Sequence, residues 1–246
     1  MLSTILLFMC MILSILIIFS KRKEPFIETI QDYDYPSMYD FLVYDQIKHD
    51  QELSFLNTIV SSSSVVLDVG SGTGHHVNAL QKNNISAIGI DNDASMVKKA
   101  RKKYPHDYIF GDVLDTSMFP SESFTHILCL YYTLYYMKDK SLFFKNASTW
   151  LMPDGFLVVH LADEWVYGPT SRLKGSISYT STLTHKKHRE KISYQNKQIK
   201  RETSIYMEPV STVVSIALQE GFTVYSMYHY QLPYKNQYIY VFKKNN

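Results

Sequence analysis

The chain has 246 residues, 46% of them hydrophobic and 20% charged, with a formal net charge of +2. That apolar share and small net charge exclude a disordered chain, and the length supports one domain with a full core. The two cysteines, Cys10 and Cys129, each sit inside an apolar run. They exclude a disulfide-stapled module, and no His/Cys/Asp cluster has ligand spacing, so no metal is expected.

Residues 2–19, LSTILLFMCMILSILIIF, carry no charge and are followed by Lys21, Arg22 and Lys23. Such a run at about 1.5 Å per residue approaches the thickness of a bilayer core. A cleaved signal peptide would carry basic residues before the run and a small-residue cleavage site after it, and neither is present. The basic cluster on the C-terminal side predicts an N-terminal transmembrane helix within residues 1–23, a single-pass anchor with the rest of the chain facing the cytoplasm. Residues 24–46 are acidic and rich in tyrosine, including Tyr33, Tyr35, Tyr39 and Tyr44. A linker into an amphipathic helix and a lid with aromatic faces around a cation fit this segment equally. The remaining domain is residues 47–246.

Ser64 to Gly74 reads SVVLDVGSGTG. Its apolar run has the character of a buried parallel strand, and Gly70, Ser71, Gly72, Thr73 and Gly74 form a turn before a helix that contains Val77 and Leu80. Such a corner lets backbone approach a ligand and offers it free helix N–H groups. Residues 86–90 predict a second strand ending in Asp91, a carboxylate placed to reach both hydroxyls of a ribose. A third strand over residues 107–111 ends in Asp112 and Val113. Each aspartate alone would read as a helix cap, but three in register at one sheet edge read as a site. A dinucleotide fold needs a third glycine where His75 stands. Asp68, inside the first strand, would repel a pyrophosphate and suit an ammonium group. A nucleoside with a cationic tail is therefore the expected ligand, and an NAD-dependent oxidoreductase the disfavoured rival.

Further along, residues 156–161 predict a fifth strand. Polar strands follow over 176–184, 191–194 and 200–205, with turns near Lys186 and Asn196. From Arg172 to Arg201 there are nine Lys or Arg residues against the single acid Glu190, a local charge of +8. A solvated hairpin, an anionic membrane surface and an anionic acceptor all fit that segment, whereas its few aromatic residues argue against nucleic acid. The basic run of residues 98–103 is expected on the solvent face of a helix. Val213, Val214, Ala217 and Leu218 mark a last helix stopped at Gly221. The runs 222–230 and 237–242 are joined too closely for a crossover, so they form an antiparallel hairpin.

VLDVGSGTG, IGIDNDASMVKKAR, GDVLD, SFTHILCLYYTLYYM and WLMPDGFLVVHL together resemble the class I S-adenosylmethionine-dependent methyltransferases over residues 44–243. The resemblance implies an α/β, Rossmann-like seven-stranded mostly parallel sheet with a C-terminal antiparallel hairpin, and a small β lid insertion over 162–207. It implies in-line methyl transfer from S-adenosyl-L-methionine to an unidentified acceptor. A catalytically silent S-adenosylmethionine-binding scaffold is the alternative. By position, Asp68, Gly70, Ser71, Gly72 and Gly74 would hold the methionine portion, with His75 and His76 along the cofactor wall and Tyr44, a lid candidate, also counted as cofactor-binding. Asp91 would hold the ribose, Asn92 and Met96 the nucleoside, and Asp112 and Val113 the adenine, while Leu130 and Tyr131 would flank the methyl group. The common glycine pair before the fifth strand is Asp154-Gly155 here. Methyl transfer needs little acid-base help. The candidates for a catalytic role are His160, although a lone histidine on a strand is more often a satisfied core group, and the lid tyrosines Tyr33 and Tyr39.

Overall fold

The computed structural model describes residues 34–164, 171–174, 177–184, 186–194, 196–231 and 233–245. The expected membrane helix and Tyr33 lie outside these residues. No helix among the described residues is long and apolar enough to cross a membrane.

The run VVLDV forms the central strand β1 (Val65–Val69), flanked on one side by β2 (Ser86–Asp91) and β3 (Tyr108–Phe110). On its other side lie β4 (Phe124–Cys129) and β5 (Leu151–Ala162). All four of these pairings are parallel. Adjacent residues alternate between the two faces, so each strand feeds two cores. Leu67, Ile127, Leu157 and Phe242 join one core with Phe143, Phe144 and Trp150. Val66, Leu128, Val158 and Val241 join the other with Val77, Leu80 and Val97. The helices that supply these partners are α3 (His75–Lys82), α4 (Ala94–Lys103) and α5 (Lys140–Trp150), preceded in the chain by α1 (Tyr35–Leu42) and α2 (Gln46–Leu56). Strand order reverses between β1 and β4, which opens a crevice at the carboxyl ends of the strands, the usual ligand position in such sheets.

Four further strands, β6 (Ser171–Lys174), β7 (Ile177–Thr184), β8 (Lys187–Tyr194) and β9 (Lys197–Ser204), form a separate antiparallel sheet within the expected insertion. α1 seals to it. Met38, Phe41 and Leu42 pack on Ile177, Tyr179 and Ile192, burying both amphipathic surfaces at once. The described part of the acidic, tyrosine-rich segment is therefore a helix packed on this sheet, with Tyr35 and Tyr39 lining a cavity. Asp34 starts that helix by accepting the Ser37 N–H at 2.8 Å.

The last helix, α6 (Val210–Gln219), leads through Gly221 into β10 (Phe222–His229) and β11 (Gln237–Lys244). β11 is antiparallel to both β10 and β5, as the short connection requires. Two expectations need correction. The fifth strand begins at Leu151, five residues early, and crosses an irregularity in which Asp154 takes the left-handed φ of +61° that the missing glycine would supply. In the lid, β6 is unexpected, and β8 and β9 begin at Lys187 and Lys197, earlier than the expected 191 and 200, because the strands pair right up to their turns. The basic run on α4 lies on the exposed face as expected, with Lys99 half-buried, and also makes contacts. Lys99 donates to Ser37 Oγ at 2.8 Å, Arg101 donates to the Tyr108 carbonyl, and Lys103 reaches Asp40 at 2.6 Å. Two of these contacts hold α1 in place.

Candidate functional site

The glycine turn after β1 is shaped by left-handed backbone at Gly70, Gly72 and Gly74, with φ of +68°, +54° and +87°. The Ile90 carbonyl accepts the N–H groups of Gly70 and Ser71 at 2.8 and 3.1 Å. Asp91 Oδ2 accepts the Gly72 N–H at 2.9 Å, and its Oδ1 accepts the Asp93 N–H at 2.8 Å. The strand-tip acid thus locks the turn as well as facing the crevice. Gly74 caps α3 without a side-chain hydrogen bond, which leaves first-turn N–H groups for a ligand.

Two adjoining cavities open at this edge. The smaller, about 50 Å³, is lined by Asp68, Ser71, His75, Leu130, Tyr44 and Tyr131 among others. The larger, about 430 Å³, is lined by Asp91, Asn92, Met96, Asp112 and Val113, and shares Gly70, Gly72, Tyr39 and Tyr131 with the first. That volume is within the range of small-molecule sites. Of the expected cofactor residues, the structure brings all but Gly74 to the two cavities.

Buried polar atoms fit a cationic nucleoside. Asp68 Oδ2 and Ser71 Oγ are buried and unpartnered among the described residues. Burial pushes the Asp68 pKa up to about 6 and raises that of Asp91, so each carboxylate is poised to gain from a ligand donor or cation. A Cβ placed on Gly72 would meet nothing within 4 Å, whereas one on Gly70 would overlap the Thr133 side chain. The loop is therefore tight underneath and open on the ligand side.

Several residues of the site were given no role by sequence. Asp40, on α1, accepts from Thr73 Oγ1 at 2.5 Å, lies 3.1 Å from His75 Nε2 and pairs with Lys103. His75 in turn stacks flat on Tyr44, with centroids 3.7 Å apart. Glu52 is fully buried, 2.9 Å from His76 Nε2, and accepts from the Tyr230 hydroxyl at 2.5 Å. Burial alone would depress the His76 pKa, but the hydrogen bond and charge of Glu52 outweigh it and raise it. His49, Glu52 and His76 place one ligand atom each within 4.8 Å of one another and could hold a metal ion. Their spacing is invisible in sequence because two helices contribute. Lys48 lies among the rings of Tyr131, Tyr132, Tyr230 and Tyr234, and burial lowers its pKa to about 8.

His160 is not a site residue. It is fully buried on β5 and lines neither cavity. Its Nδ1 accepts the Tyr132 N–H at 2.8 Å, and its ring meets Tyr132 edge-on. Burial and the charge of Lys48 hold its pKa well below the ordinary value. Its work is structural, since it pins the turn where Tyr131 and Tyr132 take positive φ of 53° and 67°.

The lid closes the larger cavity from above. Arg201 on β9 bonds to Asp93 at 2.6 Å and stacks on the Tyr35 ring at 4.5 Å. Glu190 on β8 accepts from the hydroxyls of Tyr35 and Tyr179 at 2.7 and 2.9 Å.

Residues 67–159 match the family model described as a methyltransferase domain. An uncharacterized methyltransferase of Schizosaccharomyces pombe is 32% identical over 142 residues, covering 56% of this chain, and this chain spans about half (53%) of that relative's length. A methyltransferase from Streptomyces caelestis shares the fold with TM-score 0.68 at 13% identity, over 82% of this chain and 94% of that one. An S-adenosylmethionine-dependent methyltransferase from Clostridium acetobutylicum has TM-score 0.66 at 14% identity, over 85% and 97%. Another, from Bacteroides fragilis and in complex with S-adenosyl-L-homocysteine, has TM-score 0.58 at 19% identity, over 80% and 77%. Glycine turn, paired strand-tip acids, hairpin-ended sheet and domain match agree: residues 67–159 are similar to a methyltransferase domain, and the chain shares the fold of solved S-adenosylmethionine-dependent methyltransferases.

Proposed function

We propose that this protein methylates a small acceptor enclosed beneath its lid, from a domain held at a membrane by residues 1–23. The observation that carries the reading is the open glycine turn between two carboxylates where the cavities of about 50 and 430 Å³ adjoin: Asp68, whose Oδ2 has no partner among the described residues, and the ribose-side Asp91. The bound cofactor supplies a methyl group on a sulfonium. Asp91 would hold its ribose, Asn92 and Met96 its nucleoside, and Asp112 and Val113 its adenine. Asp68 and the Gly70–Gly74 backbone would hold the amino-acid tail beside Tyr44, Ser71 and His75. Leu130 and Tyr131 would border the reacting methyl, and Tyr39 lies where both cavities meet. Catalysis then comes from holding the nucleophile close and in line while α1 and the β6–β9 sheet exclude water.

The membrane reading is supported by the uncharged run, and its basic flank supports a cytoplasmic side for the domain. Lys186, Lys191, Lys197 and Lys200 are exposed on the lid, which supports contact of that surface with anionic lipid. Nothing in the comparisons favours a silent scaffold.

Titration of the full chain with S-adenosylmethionine, followed by release of S-adenosylhomocysteine over candidate acceptors, tests the activity. Binding without turnover on any acceptor would favour the scaffold, and tight NADH binding in its place would overturn the cofactor role. Removal of residues 1–23 should move the protein from the membrane to the soluble fraction with donor binding intact.

A further inference from the structure

The larger cavity continues from the strand tips to the lid, where Glu190, Thr203, Ser204 and Tyr206 line it. We propose that this lid side receives a small amine and that the methyl group goes to nitrogen, with Glu190 orienting the acceptor. The proposal rests on the methyl-transfer reading above and names its substrate class.

Glu190 is 5% exposed, and among the described residues its two oxygens accept only from neutral phenols, those of Tyr35 and Tyr179. Arg201 stands directly across the strand pair from it, yet turns its guanidinium to Asp93. No cation lies within ion-pair distance of Glu190 among the described residues. Two neutral donors satisfy its hydrogen bonding but leave its charge uncompensated at close range, a cost that a cationic ligand would offset. Tyrosine rings surround the same space: Tyr35, Tyr39, Tyr131, Tyr136 and Tyr206 all line it. Aromatic faces attract ammonium groups. The charged lining is Asp91, Asp93, Asp112 and Glu190 against Lys138 and Arg201, so acids predominate.

Charge movement in the reaction selects nitrogen. A neutral amine forms the new N–C bond as the C–S bond breaks, its electron pair passing to sulfur and the positive charge to nitrogen. One N–H proton then leaves to solvent. A carboxylate at the acceptor end stabilises that arriving charge in the transition state. For an anionic oxygen acceptor the same carboxylate would repel the nucleophile. The cavity thus argues against the anionic acceptor suggested by the basic lid segment, of which Lys186, Lys191, Lys197 and Lys200 are exposed.

The full chain, with methyl-labelled S-adenosylmethionine, is to be assayed on small primary and secondary amines, phenols and carboxylates. The expected result is label on amines, with Glu190→Gln lowering kcat/KM for the amine about tenfold or more while the donor Kd changes less than about twofold. Label confined to phenols or carboxylates, no amine turnover by a donor-binding chain, or unchanged kcat/KM in a folded Glu190→Gln would overturn the proposal. Failure of the parent chain to bind donor would instead sink the methyl-transfer reading and this one with it. If Glu190→Gln does not fold, tetramethylammonium decides on the parent chain. Inhibition competitive with the amine supports the site, and its absence overturns it.

Discussion

Asp91 and Gly72, on neighbouring strand ends, are joined by a hydrogen bond of 2.9 Å from the glycine N–H to the carboxylate. The acid that faces the ribose position therefore also fixes the turn that faces the amino-acid tail. Asp91→Ala should weaken donor binding by about 1–3 kcal/mol, with loss of both functions. Asp91→Asn keeps an acceptor for the Gly72 N–H and should fall between the parent and the alanine variant. Calorimetric titration checks both, and an unchanged affinity would remove Asp91 from the site.

Gly70 and Gly72 should respond differently to alanine. At Gly70 the new methyl overlaps Thr133 in a backbone of positive φ, so a stability loss of roughly 2–5 kcal/mol is expected from strain and overpacking together. At Gly72 there is space, and only the backbone penalty of about 1–2 kcal/mol applies. That variant should fold but bind donor poorly, because its Cβ enters the cavity. Thermal melts beside donor titrations separate the cases.

Asp68 makes the donor-free protein pH-sensitive. Burial lifts its pKa from 3.8 to about 6, so between those values the folded state holds more protons than the unfolded state. Stability should fall as pH rises through this window, by up to about 3 kcal/mol, and stay lowered above it. Asp68→Asn should flatten that slope in urea melts while losing donor affinity, since the ammonium group then lacks a charged partner. In the parent chain, donor affinity should rise as pH passes through about 6.

Glu52 joins α2 to α3 and the C-terminal hairpin through His76 and Tyr230. Glu52→Ala leaves both buried groups without this partner and should cost about 3–5 kcal/mol. Because the His76 pKa is raised in the folded state, the pair contributes fully below the ordinary histidine value and fades as pH climbs through the raised one. Chemical denaturation at acid and alkaline pH should show the two proteins converging at the alkaline end.

The sequence by itself determined the β1 strand, the glycine turn, the acids at the next two strand tips and the closing hairpin. These features are local, being patterns of apolar period, glycine and short connections that backbone geometry reads directly. The lid was legible only in part: its turns and the strand β7 were plain, β8 and β9 read too short, and β6 gave no signal because a short polar strand carries no apolar alternation. What only the tertiary structure decided was which polar groups meet across elements. Asp40 reaches Thr73 and His75, Glu52 reaches Tyr230 across 178 positions, and Glu190 finds Tyr35 across 155. Periodicity says which side of an element is buried, but a buried carboxylate is satisfied by whichever donor the folded chain brings within about 3 Å. His160 shows the same boundary from the other side. Its place on a strand was plain in the sequence, and only the packed turn at Tyr132 revealed that its nitrogen serves the backbone rather than an acceptor.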